Sequence, residues 1–351
     1  MSEFRKRFQK LIEESYIPYN ANPASRADIW HQIYRLVLPN IPDKLFRYRA
    51  MNDYSFDEFK NGRISLCHAG MFPDKYDSYL YVNHNKIRDD LQTALRDALR
   101  ICLTHISQHH PDIRAEKATK ICYYRECGYT DEQIIDKILE EEYPVFIEQI
   151  ETAVKQRESR FRSPRNSAKI GCFTESVQSK YMWDRYGGGY KGFALEYDLR
   201  NCILKYNKLN LNVNLFPIMY TDQRPDVTLD EGNIHTYEFF KQAGDKLWFE
   251  YLCSHIHLDQ IYWYRAYLYK DRREYEHEHE WRMLYYNLDN EDDYESIPDV
   301  GSLTAIYYGP DMEDQERNKL HTIALSRGIK EYTISIDNDS PKYDLKITPY
   351  K

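Results

Sequence analysis

The sequence predicts an α+β fold with a mixed, mainly antiparallel sheet as its core, N-terminal helices and a helical insertion. Strand-like stretches lie before residue 84 and after residue 166, and the long segment between them has only helical periodicity. Helices and strands do not alternate regularly, which disfavours a doubly wound parallel sheet. We therefore predict N-terminal helices in residues 1–40, a core domain in 41–84 and 166–351, and an insertion in 85–165.

Periodicity assigns the elements of the first half. Apolar residues recur at helical spacing over residues 3–38, with a break at "NANPAS", so two helices are predicted. Strands are predicted at "LFRYRA" and "RISLCHA", and a helix closed by Asn-Gly at "SFDEFKNG" between them. Within the insertion, Thr130 and Gln133 have the spacing of a capping box for the next helix.

Strands return after the insertion. The predicted strands are "KIGCFTE", "KGFALEYDL", "FPIMYT", "HEWRMLYYN", "LTAIYYGP", "EYTISID" and "YDLKITPY". Residues 234–268 read as helical, and "MEDQERNKLHTIALSRG" is a helix that ends at Gly328. The glycines of "GGGYKG" (187–192) follow a helix-like stretch and precede a strand, so we expect a helix cap and a turn rather than a dinucleotide-binding loop.

Composition limits the class of protein. The net charge of -8 disfavours broad non-specific nucleic-acid binding. No apolar run approaches the ~20 residues of a membrane helix, so we expect no membrane partner. The seven scattered cysteines indicate reduced thiols and a cytoplasmic protein. The 33 tyrosines suit strands and the walls of polar pockets, although Tyr in place of Phe by compositional drift is the alternative.

Acids and imidazoles alternate in "EHEHEWR" (276–282), directly before an apolar run. On a strand, His277 and His279 would share one face and the three glutamates the other. A solvated edge strand commonly explains alternating charge, but a carboxylate that leads into a buried strand is usually paired or functional. The glutamates of this motif are therefore candidates for a functional role. Paired imidazoles can hold a metal, but no further metal-binding motif supports one, so we expect no metal.

Two arginines have the same spacing near the start of the chain. Arg47 and Arg49 are two residues apart on a predicted strand and should share a face. Guanidinium groups keep their charge, so beside the glutamates they would form a charged pocket floor. The alternative is that each arginine forms a structural ion pair with a glutamate or an aspartate.

Hydroxyl and aromatic residues are combined in "CFTESVQSKYMWDRYG". Thr174 and Ser176, at a strand end, can bond a sugar or a neighbouring carboxylate. Trp183 and Tyr186 offer faces for a base or a nicotinamide ring. An ordinary aromatic core helix explains the same pattern.

Blocks of this sequence resemble, in order, those of a widespread bacterial family, the domain-of-unknown-function family 2971. The blocks are "LFRYRAMNDYSFDEFKNGRISLCHAGMFPDKYD", "IGCFTESVQSKYMWDRYGGGYKGFALEYD", "VNLFPIMYTDQRP" and "YLYKDRREYEHEHEWRMLYY", within about 40–310. The matching positions are Arg47, Tyr48, Arg49, Phe72, Asp74, Asp77, Cys172, Phe173, Glu175, Met182, Trp183, Tyr186, Lys191, Gly192, Tyr220, Asp222, Arg224, Pro225, Lys270, Glu278, Glu280, Trp281 and Arg282. The resemblance to this family implies no activity.

A weaker resemblance suggests an activity. An early strand arginine, a Ser/Thr motif and a late E-x-E, in that order, resemble ADP-ribosyltransferases of the arginine–serine–glutamate type. The resemblance implies NAD as substrate, with one carboxylate at the ribose and another that takes a proton from the acceptor. It places Glu280 at the ribose and Glu278 at the acceptor, or the reverse. The arginine would hold the pyrophosphate; Arg282 completes the substrate-binding candidates.

Three hypotheses follow. The first is an NAD-consuming transferase or hydrolase, acting as a toxin or antiviral effector on a protein or nucleic-acid acceptor. The second is a metal-dependent nuclease or hydrolase that uses the acids and histidines of 276–279 with Asp74 and Asp77. The third is a non-enzymatic module that senses a nucleotide or a phage component. The sequence leaves the acceptor, the trigger and the oligomeric state open.

Overall fold

The structure is a computed structural model that describes residues 2–17, 21–106, 115–141, 144–145, 148, 164–202, 213–234, 261–286 and 292–351. Its helices in these ranges are α1 (Glu3–Glu14), α2 (Pro23–Val37), α3 (Asp53–Lys60), α4 (His84–Ile106), α5 (Ala115–Glu126), α6 (131–141), α7 (Pro164–Ser167), α8 (Lys180–Arg185), α9 (199–202), α10 (228–234), α11 (Tyr262–Leu268), α12 (Arg272–Tyr275) and α13 (Asp314–Arg327). Its strands are β1 (Leu45–Arg49), β2 (Arg63–His68), β3 (Lys169–Thr174), β4 (Phe193–Tyr197), β5 (Val213–Pro217), β6 (Met219–Thr221), β7 (Tyr269–Asp271), β8 (Glu280–Tyr285), β9 (Tyr294–Pro298), β10 (Leu303–Tyr308), β11 (Lys330–Ile336) and β12 (Leu345–Pro349).

Ten strands form one mixed sheet, which confirms the predicted α+β fold. The strand order is β12-β11-β10-β4-β1-β3-β2-β9, while β8 pairs with β3 and β5 pairs with β8. All these pairs are antiparallel except β10 with β11. Strands β6 and β7 form a separate parallel pair.

The sheet opens beside β3. One edge of β3 pairs with β8 along its full length, from Lys169 to Thr174. The other edge meets β1 only at Thr174 and β2 only at Lys169 and Ile170. Strands β1 and β2 thus diverge, and this pairing leaves residues 171–173 of β3 open on that edge. The opening is where the candidate site lies.

Helices cover the larger apolar face of the sheet. Phe8 of α1 and Val37 of α2 share one buried cluster with strand residues such as Phe216 and Met283. Burial of such side chains contributes about 1.5–3 kcal/mol each, so the N-terminal helices are held on the core by apolar packing. A smaller cluster on the other face is centred on Trp183 of α8. Among the described residues, no helix combines the length and the apolar character needed to cross a membrane.

Most element predictions are confirmed. The two helices within 3–38, the helix closed at Asn61 and the helix that ends at Gly328 occur as expected. Thr130 and Gln133 form the reciprocal bonds of a capping box. The described parts of 85–165 are largely helical, whereas the division into domains stays a prediction.

Some details differ or lie outside the described residues. "FPIMYT" was expected as one strand, but the chain changes partner at Ile218, so that β5 ends and β6 begins there. Strands β7 and β9 have no counterpart in the prediction. Of the predicted helical region 234–268, the structure describes residue 234 and residues 261–268.

The glycine-rich turn behaves as expected. Gly188 and Gly189 have φ angles of 62° each, in the left-handed region that glycine adopts at low cost. Helix α8 ends before them and β4 follows, so the segment is a helix cap and turn. A Cβ atom on Gly192 would stand 2.0 Å from the carbonyl oxygen of Arg49. That position therefore requires glycine for close approach of two backbones.

Candidate functional site

A cavity of about 230 Å³ lies at the opening of the sheet, and we call it the inner cavity. Side chains from β1, β3, α8 and the segment before β8 line it. Its charged and hydroxyl-bearing lining includes Arg47, Arg49, Arg185, Tyr186, Glu278 and Glu280. The two catalytic candidates therefore face one cavity.

Five buried charged groups form a continuous chain beside this cavity. Lys270 Nζ lies 2.8 Å from Glu278 Oε2 and 3.0 Å from Glu280 Oε2. Glu280 Oε1 accepts a bond of 2.7 Å from Arg282 Nε. Both terminal nitrogens of Arg282 donate to the carboxylate of Asp77. With all groups ionised, three carboxylates and two cations leave one net negative charge in the interior.

Local backbone geometry brings the two glutamates together. The strand alternation considered for residues 276–280 does not occur, because Glu276–Glu278 forms a 3-10 turn, and the strand predicted from His279 begins at Glu280. His279 between them has a φ of 46°, in the left-handed region. Because of this bend, the side chains of residues 276–280 do not alternate as they would on a strand. Glu278 and Glu280 both reach the ammonium group of Lys270.

Two tyrosines enclose Glu278 and Lys270. The Tyr186 hydroxyl donates to Glu278 Oε1 over 2.9 Å. The Lys270 ammonium lies 4.0 Å from the centre of the Tyr275 ring, within the range of a cation–π contact. The Glu278 and Lys270 side chains are therefore fixed from several directions.

The environments of the two glutamates move their pKa values apart. Burial acts to raise the pKa of Glu280, but Arg282 and Lys270 outweigh burial and lower it to about 2. Burial raises the pKa of Glu278, and the nearby Glu280 charge adds to this, while Lys270 opposes it. Glu280 is thus held ionised, and Glu278 is the carboxylate that takes a proton more easily. Such a divergence is the usual arrangement of a charge-stabilising carboxylate beside an acid–base carboxylate.

The arginines of β1 line the inner cavity together with the glutamates but do not share a face of the sheet with Glu280. Phe46 is opposite Thr174, and Thr174 is opposite Glu280, so these three residues share one face of the sheet. Arg47 and Arg49 alternate with Phe46 and point to the other face. The expected same-face floor of arginines and glutamates is therefore wrong, and the two sets reach the inner cavity from different sides of the opening.

Both arginines have a structural partner, as in the alternative interpretation. Arg47 and Arg49 form ion pairs of 3.0 and 2.7 Å with Glu58 of α3. They also donate to the backbone oxygen and hydroxyl of Ser65, respectively. Burial acts to raise the pKa of Glu58, but the two guanidinium groups lower it below its ordinary value. A role in substrate binding stays a prediction for this pair.

The remaining site candidates occupy different environments. Thr174 is buried and donates to the carbonyl oxygen of Glu278, so it supports the turn that carries this residue. Tyr186 lines the inner cavity, but Ser176 is not among its lining residues and accepts a bond from Tyr48 through its carbonyl oxygen. Arg282 is completely buried within the charge chain.

Trp183 belongs to the apolar interior. Its side chain is fully buried, its ring lies 5.0 Å from that of Tyr48, and its indole nitrogen donates to the carbonyl oxygen of Val177. This placement corresponds to the aromatic core helix that the sequence offered as an alternative. Trp183 presents no face to the inner cavity.

Three residues that were not among the catalytic and substrate-binding candidates contribute to the site. Lys270 and Asp77 complete the charge chain, and both are positions of the family pattern, which was the available signal. Arg5 of α1 is buried and donates to the backbone oxygens of Ile218 and Glu280, which fixes the start of β8. No sequence signal distinguished Arg5 from other basic residues of its helix.

Arg185 is a further cation at the inner cavity. Its guanidinium lies 5.7–6.0 Å from the ring centres of Tyr181, Tyr186 and Tyr275. Within the described part of the chain, no carboxylate forms an ion pair with Arg185, and the groups that act on its charge are the tyrosines around it. Arg185 therefore brings a positive charge to the cavity, and no acidic side chain of the described residues is its counter-ion.

The histidines of the "EHEHEWR" motif do not gather with acids. His277 packs edge-on against Tyr181, with 3.9 Å between ring centres. Among the residues that the structure describes, no three or more His, Cys, Asp or Glu side chains form a group that could hold a metal ion. Asp77 and Glu278, which the nuclease hypothesis required, are occupied by Arg282 and Lys270.

A second depression of about 670 Å³, the outer groove, adjoins the inner cavity. Asp74, Lys270 and Tyr275 line both. The groove also contains Arg224 and several tyrosines. The two spaces therefore share one wall, with Lys270 between the carboxylate pair and the groove.

The fold and site define an α+β protein with a buried carboxylate pair at an opening in a mainly antiparallel sheet. The family model described as "Protein of unknown function (DUF2971)" matches residues 182–283, a range that includes Lys270, Glu278, Glu280 and Arg282. This match supports the resemblance to that family for the site residues that lie between positions 182 and 283. Comparisons with curated proteins and with solved structures gave no match, and nothing in them supports the resemblance to ADP-ribosyltransferases.

Proposed function

We propose that the inner cavity is the catalytic site of an enzyme that consumes an NAD-type dinucleotide, as a hydrolase or as an ADP-ribosyltransferase. One observation carries the proposal: Glu278 and Glu280 line the same cavity, and their pKa values are shifted in opposite directions. Cleavage of a glycosidic bond at a cationic centre needs one permanently charged carboxylate and one that exchanges a proton.

Glu280 has the properties needed next to the ribose. As the bond between the ribose C1′ atom and the nicotinamide nitrogen breaks, its electron pair leaves with nicotinamide and positive charge develops on the ribose. An ionised carboxylate in a buried site stabilises that charge more strongly than it would in water. Arg282 and Lys270 keep Glu280 ionised and fix its orientation.

Glu278 has the properties needed at the acceptor. The oxygen of water, or of an acceptor hydroxyl, forms the new bond to C1′ and loses a proton. Glu278 takes that proton, and its raised pKa makes it a better base than an ordinary glutamate. Tyr186 and Lys270 hold the two carboxylate oxygens in place.

We assign the phosphate contact to Arg185 and not to Arg47 or Arg49, the arginines expected from the sequence. Arg47 and Arg49 are bonded to Glu58 and Ser65, so they are less available to a ligand. Arg185 lines the same cavity and has no carboxylate partner among the described residues. A guanidinium among tyrosine rings can bind a phosphate while the rings contact a planar group.

The volume of the inner cavity limits the size of the ligand that it can hold. A volume of about 230 Å³ is below the ~300–1,000 Å³ usual for drug-sized ligands, so the inner cavity accommodates only the nicotinamide–ribose end. The proposal includes a cytoplasmic location and a role as a toxin or antiviral effector. It also includes a protein or nucleic-acid acceptor where transfer replaces hydrolysis.

The test is release of nicotinamide from NAD, measured by chromatography for the full-length protein. We expect Glu280→Gln to lower the rate by at least roughly 10²-fold, the usual cost of removing one charge-stabilising group. Glu278→Gln should lower it as well. Glu276→Gln is the matched control, because this residue is two positions away and lines neither cavity. Circular dichroism of each variant checks that it folds.

Three outcomes would contradict the proposal. Unchanged turnover in Glu280→Gln would remove this residue from the mechanism. Binding of NAD without any turnover would favour the sensing module. Turnover that a chelator abolishes and a divalent ion restores would favour the metal-dependent hydrolase.

A further inference from the structure

The outer groove contains an arginine surrounded by exposed aromatic rings. The Arg224 guanidinium lies 5.4, 5.3 and 5.6 Å from the ring centres of Tyr76, Tyr79 and Tyr81. These tyrosines are 67%, 52% and 39% exposed. Exposed aromatic rings beside a guanidinium form a surface that can stack on a planar ligand while the cation binds an anion.

Arg224 has an unused binding capacity. In the segments described here no carboxylate forms an ion pair with it, and its one hydrogen bond is a long contact of 3.4 Å to the carbonyl oxygen of Leu80. The acids around it have other partners. Asp222 pairs with Arg272, and Asp226 accepts from the backbone of Thr228. The most available partner for this guanidinium is therefore an anion from solution.

The chemistry of the groove selects a class of ligand. Tyrosine faces stack on planar heterocycles, and an arginine beside them binds phosphate. Carboxylates that line the groove repel a long polyanion, so a short ligand is favoured over nucleic acid. These carboxylates belong to Asp74, Asp222, Asp226, Asp271 and Glu274. The same carboxylates can accept hydrogen bonds from the amino group of a purine and from ribose hydroxyls.

We propose that the outer groove binds a purine nucleoside diphosphate group, with the diphosphate on Arg224 and the purine against Tyr76, Tyr79 and Tyr81. The groove shares Asp74, Lys270 and Tyr275 with the inner cavity. If the proposed function holds, this group is the ADP half of NAD, and the dinucleotide extends from the groove into the inner cavity past Lys270. Arg224 then contacts the phosphate on the adenosine side, and Arg185 contacts the phosphate next to the nicotinamide ribose. Binding of free ADP does not depend on that function.

The direct test is calorimetric titration of the full-length protein with ADP. We expect Arg224→Ala and Tyr79→Ala each to weaken binding by at least roughly tenfold, as expected for the loss of a charge-assisted phosphate contact or a stacking ring. Arg273→Ala is the matched control, because this neighbouring arginine lines neither cavity. Glu280→Gln should retain ADP binding. Absence of ADP binding to the wild type, or equal binding to Arg224→Ala, overturns the proposal.

A kinetic comparison separates this inference from the proposed function. Nicotinamide mononucleotide lacks the adenosine part of NAD, so Arg224→Ala should raise the KM for NAD and leave kcat/KM for the mononucleotide close to wild type. A loss that is equal for both substrates would contradict the groove assignment. If ADP binds through Arg224 but neither substrate is turned over, the groove assignment stands and the proposed function fails.

Discussion

Removal of Arg282 tests the charge chain most directly. Its side chain is 0% exposed, and it bonds Glu280, Asp77 and the carbonyl oxygen of Tyr267. Arg282→Met keeps an unbranched side chain but leaves two buried carboxylates without this counter-charge. Breaking a buried ion pair in this way costs about 3–5 kcal/mol. Because total stability is typically about 5–15 kcal/mol, the loss would be a large fraction of it.

The assay is urea unfolding followed by tryptophan fluorescence, since Trp183 and Trp281 are buried in the folded protein. Arg200→Met is the control, because the Arg200 side chain is 48% exposed in its pair with Asp198 and its loss should leave the midpoint close to wild type. A double variant with Asp77→Asn should recover part of the cost, because it removes the orphaned charge.

Two results would refute this reasoning. The first is an Arg282→Met variant that unfolds at the same urea concentration as the Arg200→Met control. The second is a double variant in which Asp77→Asn adds its full separate cost to that of Arg282→Met. In either case the chain of contacts would have no energetic coupling.

Two further predictions concern single residues. The pKa of Glu280 is about 2 in the folded protein against an ordinary 4.5, which corresponds to about 3 kcal/mol. Because this pKa is lowered, the stabilisation is present above about pH 4.5 and is lost as the pH falls towards 2. The free energy of unfolding of Glu280→Gln should lack this pH-dependent loss when the variant is titrated with acid. An acid profile identical to that of the wild type would disprove the prediction. Gly192→Ala should cost about 3 kcal/mol, because its Cβ would stand 2.0 Å from the Arg49 carbonyl oxygen. Urea unfolding measures this, and a wild-type midpoint would show that the backbones separate freely.

The sequence was sufficient for the local elements of the fold. Periodicity and end signals located the N-terminal helices, the capping box at Thr130 and the helix end at Gly328, since these depend on near neighbours in the chain. It did not reveal that β1 and β2 diverge from β3, because that opening depends on pairing between residues more than 100 positions apart. The cavity follows from this opening.

The same difference between local and long-range contacts explains which features of the site the sequence predicted. Glu278 and Glu280 were identified because their acidity contrasts with the apolar strand that follows. Their geometry was predicted from strand alternation, which fails because His279 adopts a left-handed conformation. The partner of Arg47 and Arg49 could not be read from the chain, because Glu58 is one of many acids and only the packing of α3 on the sheet selects it.

The charge chain is difficult to explain as a stabilising device alone. Apolar side chains of similar volume often stabilise an interior as well as buried ion pairs do. The chain is electrically neutral when Glu278 holds a proton and carries one negative charge when it does not. Glu278 is also the member with a raised pKa, and it faces the inner cavity. In the proposed reaction, a positive charge that develops in the cavity would neutralise the ionised chain, so we infer that proton exchange at Glu278 and charge development at the ligand are coupled through Lys270.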